Sequence, residues 1–127
     1  MKCVSILVGA ALVAAGVGPQ VYECDIEEKT GSNDDLYKHQ ITKGDATFPK
    51  QITGHFTATP GKGKQAAGFV SYKYGACAPL VTLNWELNTT AKAMDWDLVI
   101  NCGPYIKVKK DFSNATYTKF SILEDWS

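Results

Sequence analysis

Two histidines, His39 and His55, are the only side chains in this sequence whose ordinary pKa lies near neutrality, so they are the first candidates for acid–base chemistry. His39 lies in a segment rich in charges, where a solvated side chain is the simplest interpretation. His55 and Glu86 each lie on the polar face of an alternating segment. If those segments are neighbouring strands, the pair can act as general acid and base in a hydrolase. Cross-strand pairs of this type are more often surface hydrogen bonds.

Lysines provide two candidate sites for RNA or another binding partner, to which His55 can contribute. Glycines alternate with Lys62 and Lys64 in Gly61-Lys62-Gly63-Lys64, and such loops can present backbone N–H groups and positive charge to a phosphate. The spacing does not match the P-loop motif, so a solvated hairpin loop is the alternative. Lys107 and Lys109 share one face of a predicted edge strand, where lysine also discourages edge-to-edge aggregation.

Several kinds of catalytic site find no support in the residue types. Cleavage of RNA by attack of the 2′-hydroxyl needs a base, an acid and a cation on the phosphate. The chain contains no arginine and no histidine after His55. Asp95 and Asp97 flank Trp96 on one strand, which is typical of a solvated strand face. We therefore predict no catalytic residues, no metal site and no cofactor.

The elements that would position these residues begin with a predicted helix. Ser32 can cap it, and Asp34 and Asp35 suit the positive end of the helix dipole. Tyr37 and Ile41 are four residues apart and would share one face, and Gly44 would end the helix. A helix of about ten residues is too short to be stable alone and must pack on an apolar surface.

Strand patterns dominate the chain after Phe48. The clearest is Val81–Leu87, in which apolar and polar residues alternate strictly, as in an antiparallel strand with one buried face. The other predicted strands lie near residues 52–58, 70–74, 96–100, 106–109 and 116–123, with a polar turn at 111–115. The sequence thus predicts an α+β fold, a short N-terminal helix packed on a twisted antiparallel β-sheet. An all-β sandwich, in which the early helix is a loop, is the alternative.

The first 18 residues have the pattern of a signal peptide: Lys2, an apolar run from Cys3 to Ala15, and small residues before the expected cleavage site. Residues 19–127 then form a single secreted domain. Without Lys2 this domain has 12 lysines against 13 acidic residues, a net charge of about −1. This balance argues against a strong non-specific grip on nucleic acid.

Cysteines and sequons agree with secretion. Cys3 leaves with the leader, so Cys24, Cys77 and Cys102 are the disulfide candidates. Three is an odd number, which predicts one disulfide and one remaining thiol, either buried or paired with a second chain. The sequons at Asn88 and Asn114 are candidate glycosylation sites.

Three stretches resemble the ribonuclease-like secreted effectors of plant-pathogenic fungi, which are catalytically inactive relatives of small guanyl-specific ribonucleases. They are Tyr22-Glu23-Cys24 directly after the leader, Phe48-Pro49-Lys50, and Asp97–Asn101 followed by Ile106-Lys107-Val108. The resemblance implies a ribonuclease T1-like fold. Family members usually pair the first cysteine with one near the C-terminus. The final strand here has none, so Cys24 pairs with Cys102 or Cys77, or stays free.

The resemblance implies a virulence-related pseudoenzyme, because the arginine and the late histidine of the active ribonucleases are missing. Such a protein would act by binding a host protein, and it could also bind RNA weakly. It would not associate with a membrane, and it would be a monomer or a disulfide-linked dimer. It would be extracellular, with uptake into host cells as a further expectation. The alternatives are a small secreted hydrolase or nuclease that uses His55 and Glu86, and a structural or adhesive β-sandwich protein.

Overall fold

The computed structural model describes residues 20–31 and 34–126, and these residues form two β-sheets packed face to face. They contain nine strands and one short 3₁₀ turn, Lys62–Lys64. The strands are β1 Tyr22–Glu28, β2 Asp35–Lys43, β3 Asp45–Thr47, β4 Gly54–Thr59, β5 Ala67–Tyr74, β6 Cys77–Asn88, β7 Ala93–Ile100, β8 Ile106–Ser113 and β9 Tyr117–Glu124.

Sheet I has the strand order β3-β4-β1-β9-β8, and sheet II has the order β2-β5-β6-β7. All pairs in sheet II are antiparallel. In sheet I the first and last described strands, β1 and β9, lie side by side and run parallel, with Glu23 opposite Tyr117. Because the strands of sheet II are antiparallel, its β5–β6 and β6–β7 hairpin loops lie at opposite ends of the sandwich.

The core lies between the sheets and follows from the alternation of apolar residues along the strands. On β6 and β7, Leu83 faces Leu98 and Trp85 faces Trp96, and all four side chains are buried. Each fully buried side chain of this size contributes roughly 1.5–3 kcal/mol to folding. Contact between the sheets includes Phe56 of β4 and Tyr72 of β5, whose rings meet edge to face at 6.1 Å.

The predicted helix is wrong. The segment forms β2, an edge strand of sheet II whose neighbour in that sheet is β5, and the described residues contain no α-helix. His39 therefore lies on a strand, and Tyr37 and Ile41 are exposed. A fold of two β-sheets replaces the predicted α+β class and agrees with the all-β alternative, although the early segment is a strand and not a loop.

The strands from β4 onward were predicted near their observed positions, whereas β1 and the short β3 were not predicted. Strand β6 extends beyond the predicted Val81–Leu87 at both ends. The polar turn predicted at 111–115 is shorter in the structure, because β8 continues to Ser113. The predicted signal peptide, residues 1–18, lies outside the described residues. Within the part of the chain that is described, no helix is long and apolar enough to cross a membrane.

One disulfide is present, as predicted, and it joins Cys77 to Cys102 with a Cα–Cα distance of 5.9 Å. It closes the open end of the β6–β7 hairpin. Cys24 is a free cysteine and is fully buried on β1. Burial and the neighbouring Asp25 raise the pKa of the Cys24 thiol, so it is an unreactive core residue.

Candidate functional site

Two loops and the start of β1 enclose a pocket of about 500 Å³ at one end of the sandwich, which we call the lysine pocket. The loops are the β4–β5 connection and the β6–β7 hairpin. Most of the pocket surface is apolar. Its lining residues are Gln20, Tyr22, Pro60, Gly61, Gly63, Lys64, Leu87, Thr89 and Lys92.

Close glycine contacts fix the shape of the β4–β5 connection. A Cβ atom on Gly61 would lie 2.9 Å from the Cα of Gly44, and one on Gly44 would lie 2.3 Å from the carbonyl oxygen of Thr59. Only glycine allows the two backbone segments to approach this closely. The loop is closed by a hydrogen bond of 2.9 Å, in which the Lys64 N–H donates to the carbonyl of Gly61.

The β6–β7 hairpin supplies the second lysine. The side-chain oxygen of Asn88 accepts hydrogen bonds from the N–H groups of Thr90 at 3.1 Å and Ala91 at 2.9 Å, which shapes the turn. Lys92 then has φ of 54°, and Lys64 has φ of 57°. They are the two non-glycine residues with positive φ in the described chain, and both line the lysine pocket. Backbone in this region costs about 1–2 kcal/mol per residue.

The charged groups that line the lysine pocket are all positive. Lys64 and Lys92 are its charged lining residues, and no carboxylate lines it. No ion pair involves either lysine among residues 20–31 and 34–126. An apolar pocket with two cationic groups and no internal counter-charge can bind a small organic anion.

A second group of polar side chains surrounds His55 on the outer face of sheet I. His55 Nε2 lies 2.9 Å from Glu23 Oε1, and His55 Nδ1 lies 2.7 Å from Asp25 Oδ1. The hydroxyl of Tyr117 donates to the other oxygen of Asp25 at 2.6 Å. We call these four residues the His55 cluster. About half of the His55 side chain is exposed.

The hydrogen bond to Asp25 and the nearby charges of Asp25 and Glu23 raise the pKa of His55. Partial burial acts to raise the pKa of Asp25, but hydrogen bonds from Tyr117 and His55 outweigh it and the pKa is lowered. The hydrogen bond to Asp25 also raises the pKa of Tyr117 to about 12. The cationic form of His55 is therefore favoured, and each ring nitrogen contacts a carboxylate.

The structure does not bring His55 and Glu86 together. His55 lies on β4 in sheet I, and Glu86 lies on β6 in sheet II, each on the exposed face of its sheet. The two side chains therefore lie on opposite outer faces of the sandwich, so the predicted cross-strand pair does not form. Asp95 and Asp97 are exposed on β7, as predicted, and flank the buried Trp96.

The predicted lysine groups are also separate. Lys62 and Lys64 lie in the β4–β5 connection, while Lys107 and Lys109 lie on β8, the far edge strand of sheet I. Lys109 Nζ lies 3.6 Å from Asp111 Oδ1. The four lysines do not form one continuous basic surface.

Both sequon asparagines occupy exposed hairpin turns. The side-chain oxygen of Asn114, like that of Asn88, accepts hydrogen bonds from backbone N–H groups two and three residues later. These bonds explain the asparagines by turn formation, and glycosylation at either site stays a prediction. Among the residues that the structure describes, no group of three or more His, Cys, Asp or Glu side chains is arranged to hold a metal ion.

Sequence reasoning missed Lys92, Asp25 and Tyr117. Lys92 reaches the lysine pocket only because β6 and β7 form a hairpin beside the β4–β5 connection. Asp25 and Tyr117 are 92 residues apart and meet because β1 and β9 pair. Alternation along the sequence placed His55 on a solvated face but gave no signal that Asp25 and Tyr117 lie beside it.

Comparisons with known proteins bear on the fold. No protein-family model matches the chain, and no curated protein matches it significantly. Among solved structures, the chain is similar to IP-1A from Alcaligenes faecalis, with a TM-score of 0.57 and 13% sequence identity, over 84% of this chain and 91% of IP-1A. At this identity the likeness concerns the fold alone: the chain shares the overall architecture of IP-1A.

Proposed function

We propose that this chain is a secreted, non-catalytic binding protein of the β-sandwich type, and that the lysine pocket binds an organic anion with an apolar body. The observation that carries the proposal is the convergence of Lys64 and Lys92, from two separate loops, on one apolar pocket without a carboxylate. The proposal develops the structural or adhesive alternative and replaces the hydrolase alternative.

The proposed ligand follows from the chemistry of the pocket walls. Tyr22, Pro60 and Leu87 offer apolar surface, and each lysine offers an ammonium group with three N–H donors. A carboxylate, sulfonate or phosphate can accept hydrogen bonds from both lysines while its apolar part lies against the walls. A charge-assisted hydrogen bond of this kind contributes roughly 1.5–3 kcal/mol. A pocket of about 500 Å³ is in the usual range for small-molecule sites.

The His55 cluster supports a non-catalytic role. A general base needs a ring nitrogen with a free lone pair, and both nitrogens of His55 already contact carboxylates. Tyr117, which also belongs to the cluster, donates a hydrogen bond to Asp25, and this bond raises the pKa of the Tyr117 hydroxyl and so disfavours its nucleophilic anion.

Secretion is part of the proposal and draws support from three features. They are the leader pattern of residues 1–18, the disulfide Cys77–Cys102, which is typical of oxidising compartments, and the exposure of Asn88 and Asn114 in turns. An effector role and binding of a host protein remain predictions from the resemblance. RNA binding gains little support, since the lysines are dispersed and a continuous basic surface is what RNA requires.

The lysine pocket can be tested with 8-anilinonaphthalene-1-sulfonate, a fluorescent probe with an apolar body and one anionic group. We expect saturable binding of one probe per chain. Lys64→Gln and Lys92→Gln should each weaken binding by about tenfold, the equivalent of one charge-assisted hydrogen bond. Lys62→Gln is the matched control, because Lys62 lies in the same loop but does not line the pocket.

A second control separates charge from apolar contact. N-phenyl-1-naphthylamine has a similar aromatic body without the sulfonate, so its binding should not respond to Lys64→Gln or Lys92→Gln. The proposal fails if the sulfonate probe binds equally to all variants, or if Lys62→Gln weakens binding as much as Lys64→Gln. Circular dichroism of each variant checks that the fold is retained.

A further inference from the structure

Two carboxyl groups face each other where the chain passes from β1 to β2, away from the lysine pocket. Glu28 is the last residue of β1, and Asp34 directly precedes β2. Backbone bonds hold both in place. The N–H of Glu28 donates to Thr53 Oγ1 at 3.0 Å, and the carbonyl of Asp34 accepts from the N–H of Ile52 at 3.1 Å.

Asp34 is buried, and three oxygens of the pair lack donors within the described chain. Only 1% of Asp34 is exposed, and both of its carboxylate oxygens are without an N–H or O–H donor among the described residues. The same is true of Glu28 Oε1. Burying an unpaired carboxylate costs several kcal/mol, so two adjacent ones must share a positive partner.

A single proton is an incomplete partner. Three buried oxygens of the pair have no donor in the part of the chain that is described, namely Glu28 Oε1 and both carboxylate oxygens of Asp34. One shared proton can contact only two of them. A cation bound between the two groups contacts oxygens of both carboxylates at once.

We propose that Glu28 and Asp34 bind a calcium ion. Carboxylate oxygens are hard ligands that suit Ca²⁺ and Mg²⁺, and Ca²⁺ accepts irregular sets of six to eight oxygens and gives up its water more readily. The hydroxyl of Thr30, which contacts Glu28, is a further oxygen at this site. With only two carboxylates the site should be weak, with a dissociation constant on the order of 10⁻⁴–10⁻³ M, as in extracellular calcium modules.

Thermal unfolding of the purified protein tests the proposal. After treatment with chelator, addition of 10 mM CaCl₂ should raise the Tm by several degrees relative to NaCl of equal ionic strength, and 10 mM MgCl₂ should raise it much less. Glu28→Gln and Asp34→Asn should each abolish the calcium response. Glu27→Gln is the matched control, because Glu27 is an exposed carboxylate on the same strand, and this variant should respond like the original protein.

Each outcome of this experiment either supports or overturns the calcium site. Glu28→Gln can donate an amide hydrogen bond to Asp34 and so imitates the protonated pair. An unchanged Tm with calcium would show a pair bridged by a proton only and would overturn the proposal. An equal response to magnesium, or a calcium response that survives in Glu28→Gln, would overturn it as well. If neither variant folds, calorimetric titration of the original protein with CaCl₂ decides, and absence of one-site binding refutes the site.

Discussion

Removing the disulfide Cys77–Cys102 should destabilise the domain through the unfolded state. The bond closes a loop with a sequence separation of 25 residues. For a loop of this length the chain-entropy relation gives about 3.5 kcal/mol at 25 °C. The folded hairpin keeps its ends together without the bond, because Val81 of β6 pairs with Ile100 of β7. We therefore expect the double variant Cys77→Ala/Cys102→Ala to fold and to lose about 3.5 kcal/mol, roughly 15 °C in Tm.

Urea unfolding with and without reductant measures this effect. Reductant should bring the original protein to the stability of the double variant and should leave the double variant unchanged. The m-value of the double variant should exceed that of the original protein without reductant, because an unfolded chain without the cross-link exposes more surface. Cys24→Ala is the control, since it removes a buried free thiol and should keep the response to reductant. A double variant within about 1 kcal/mol of the original protein would refute the entropic reasoning.

Two further predictions concern the core and the His55 cluster. Leu83→Ala, at a fully buried position, should lower the free energy of unfolding by about 2–5 kcal/mol in urea titrations, whereas the exposed Val99→Ala should change it by less than about 0.5 kcal/mol. Because the pKa of His55 is raised and that of Asp25 is lowered, the cluster stabilises the fold between about pH 4 and 6.5 and less as the pH rises through the pKa of His55. His55→Gln should thus cost up to about 1 kcal/mol at pH 5.5 and almost nothing at pH 9, and a loss equal at both pH values would contradict the ionic interpretation.

Sequence alternation predicted most of the strands that have one buried face, although β1 was missed, and it failed for β2, which has none. On β6, Leu83 and Trp85 are buried and their neighbours are solvated, so the period of two is visible. Strand β2 lies at the edge of sheet II with both faces largely exposed. Tyr37 and Ile41 are four residues apart, which places them on one face of a helix but also on one side of a regular strand. The spacing alone could not distinguish the two.

Gly44, which follows β2, was ambiguous in the same way. Gly44 has φ of 78°, a conformation that suits the end of a helix and equally the tight corner between β2 and β3. The candidate sites were harder to predict from the sequence than the strands. Lys64 was predicted from its glycine-rich loop, whereas Lys92 depends on which hairpin lies beside that loop. Such adjacency is set by sheet order, which a single sequence does not encode locally.

The parallel pairing of β1 with β9 determines when sheet I can form. Its middle joins residues from opposite ends of the described chain, such as Asp25 and Tyr117, 92 residues apart. Closing so long a loop costs conformational entropy before native contacts can offset that cost. Folding is therefore expected to be slow and strongly cooperative. Sheet I cannot close until the segment beginning at Tyr117 is present. A chain cut short before that residue would lose the centre of the sheet and leave β1 with an open edge.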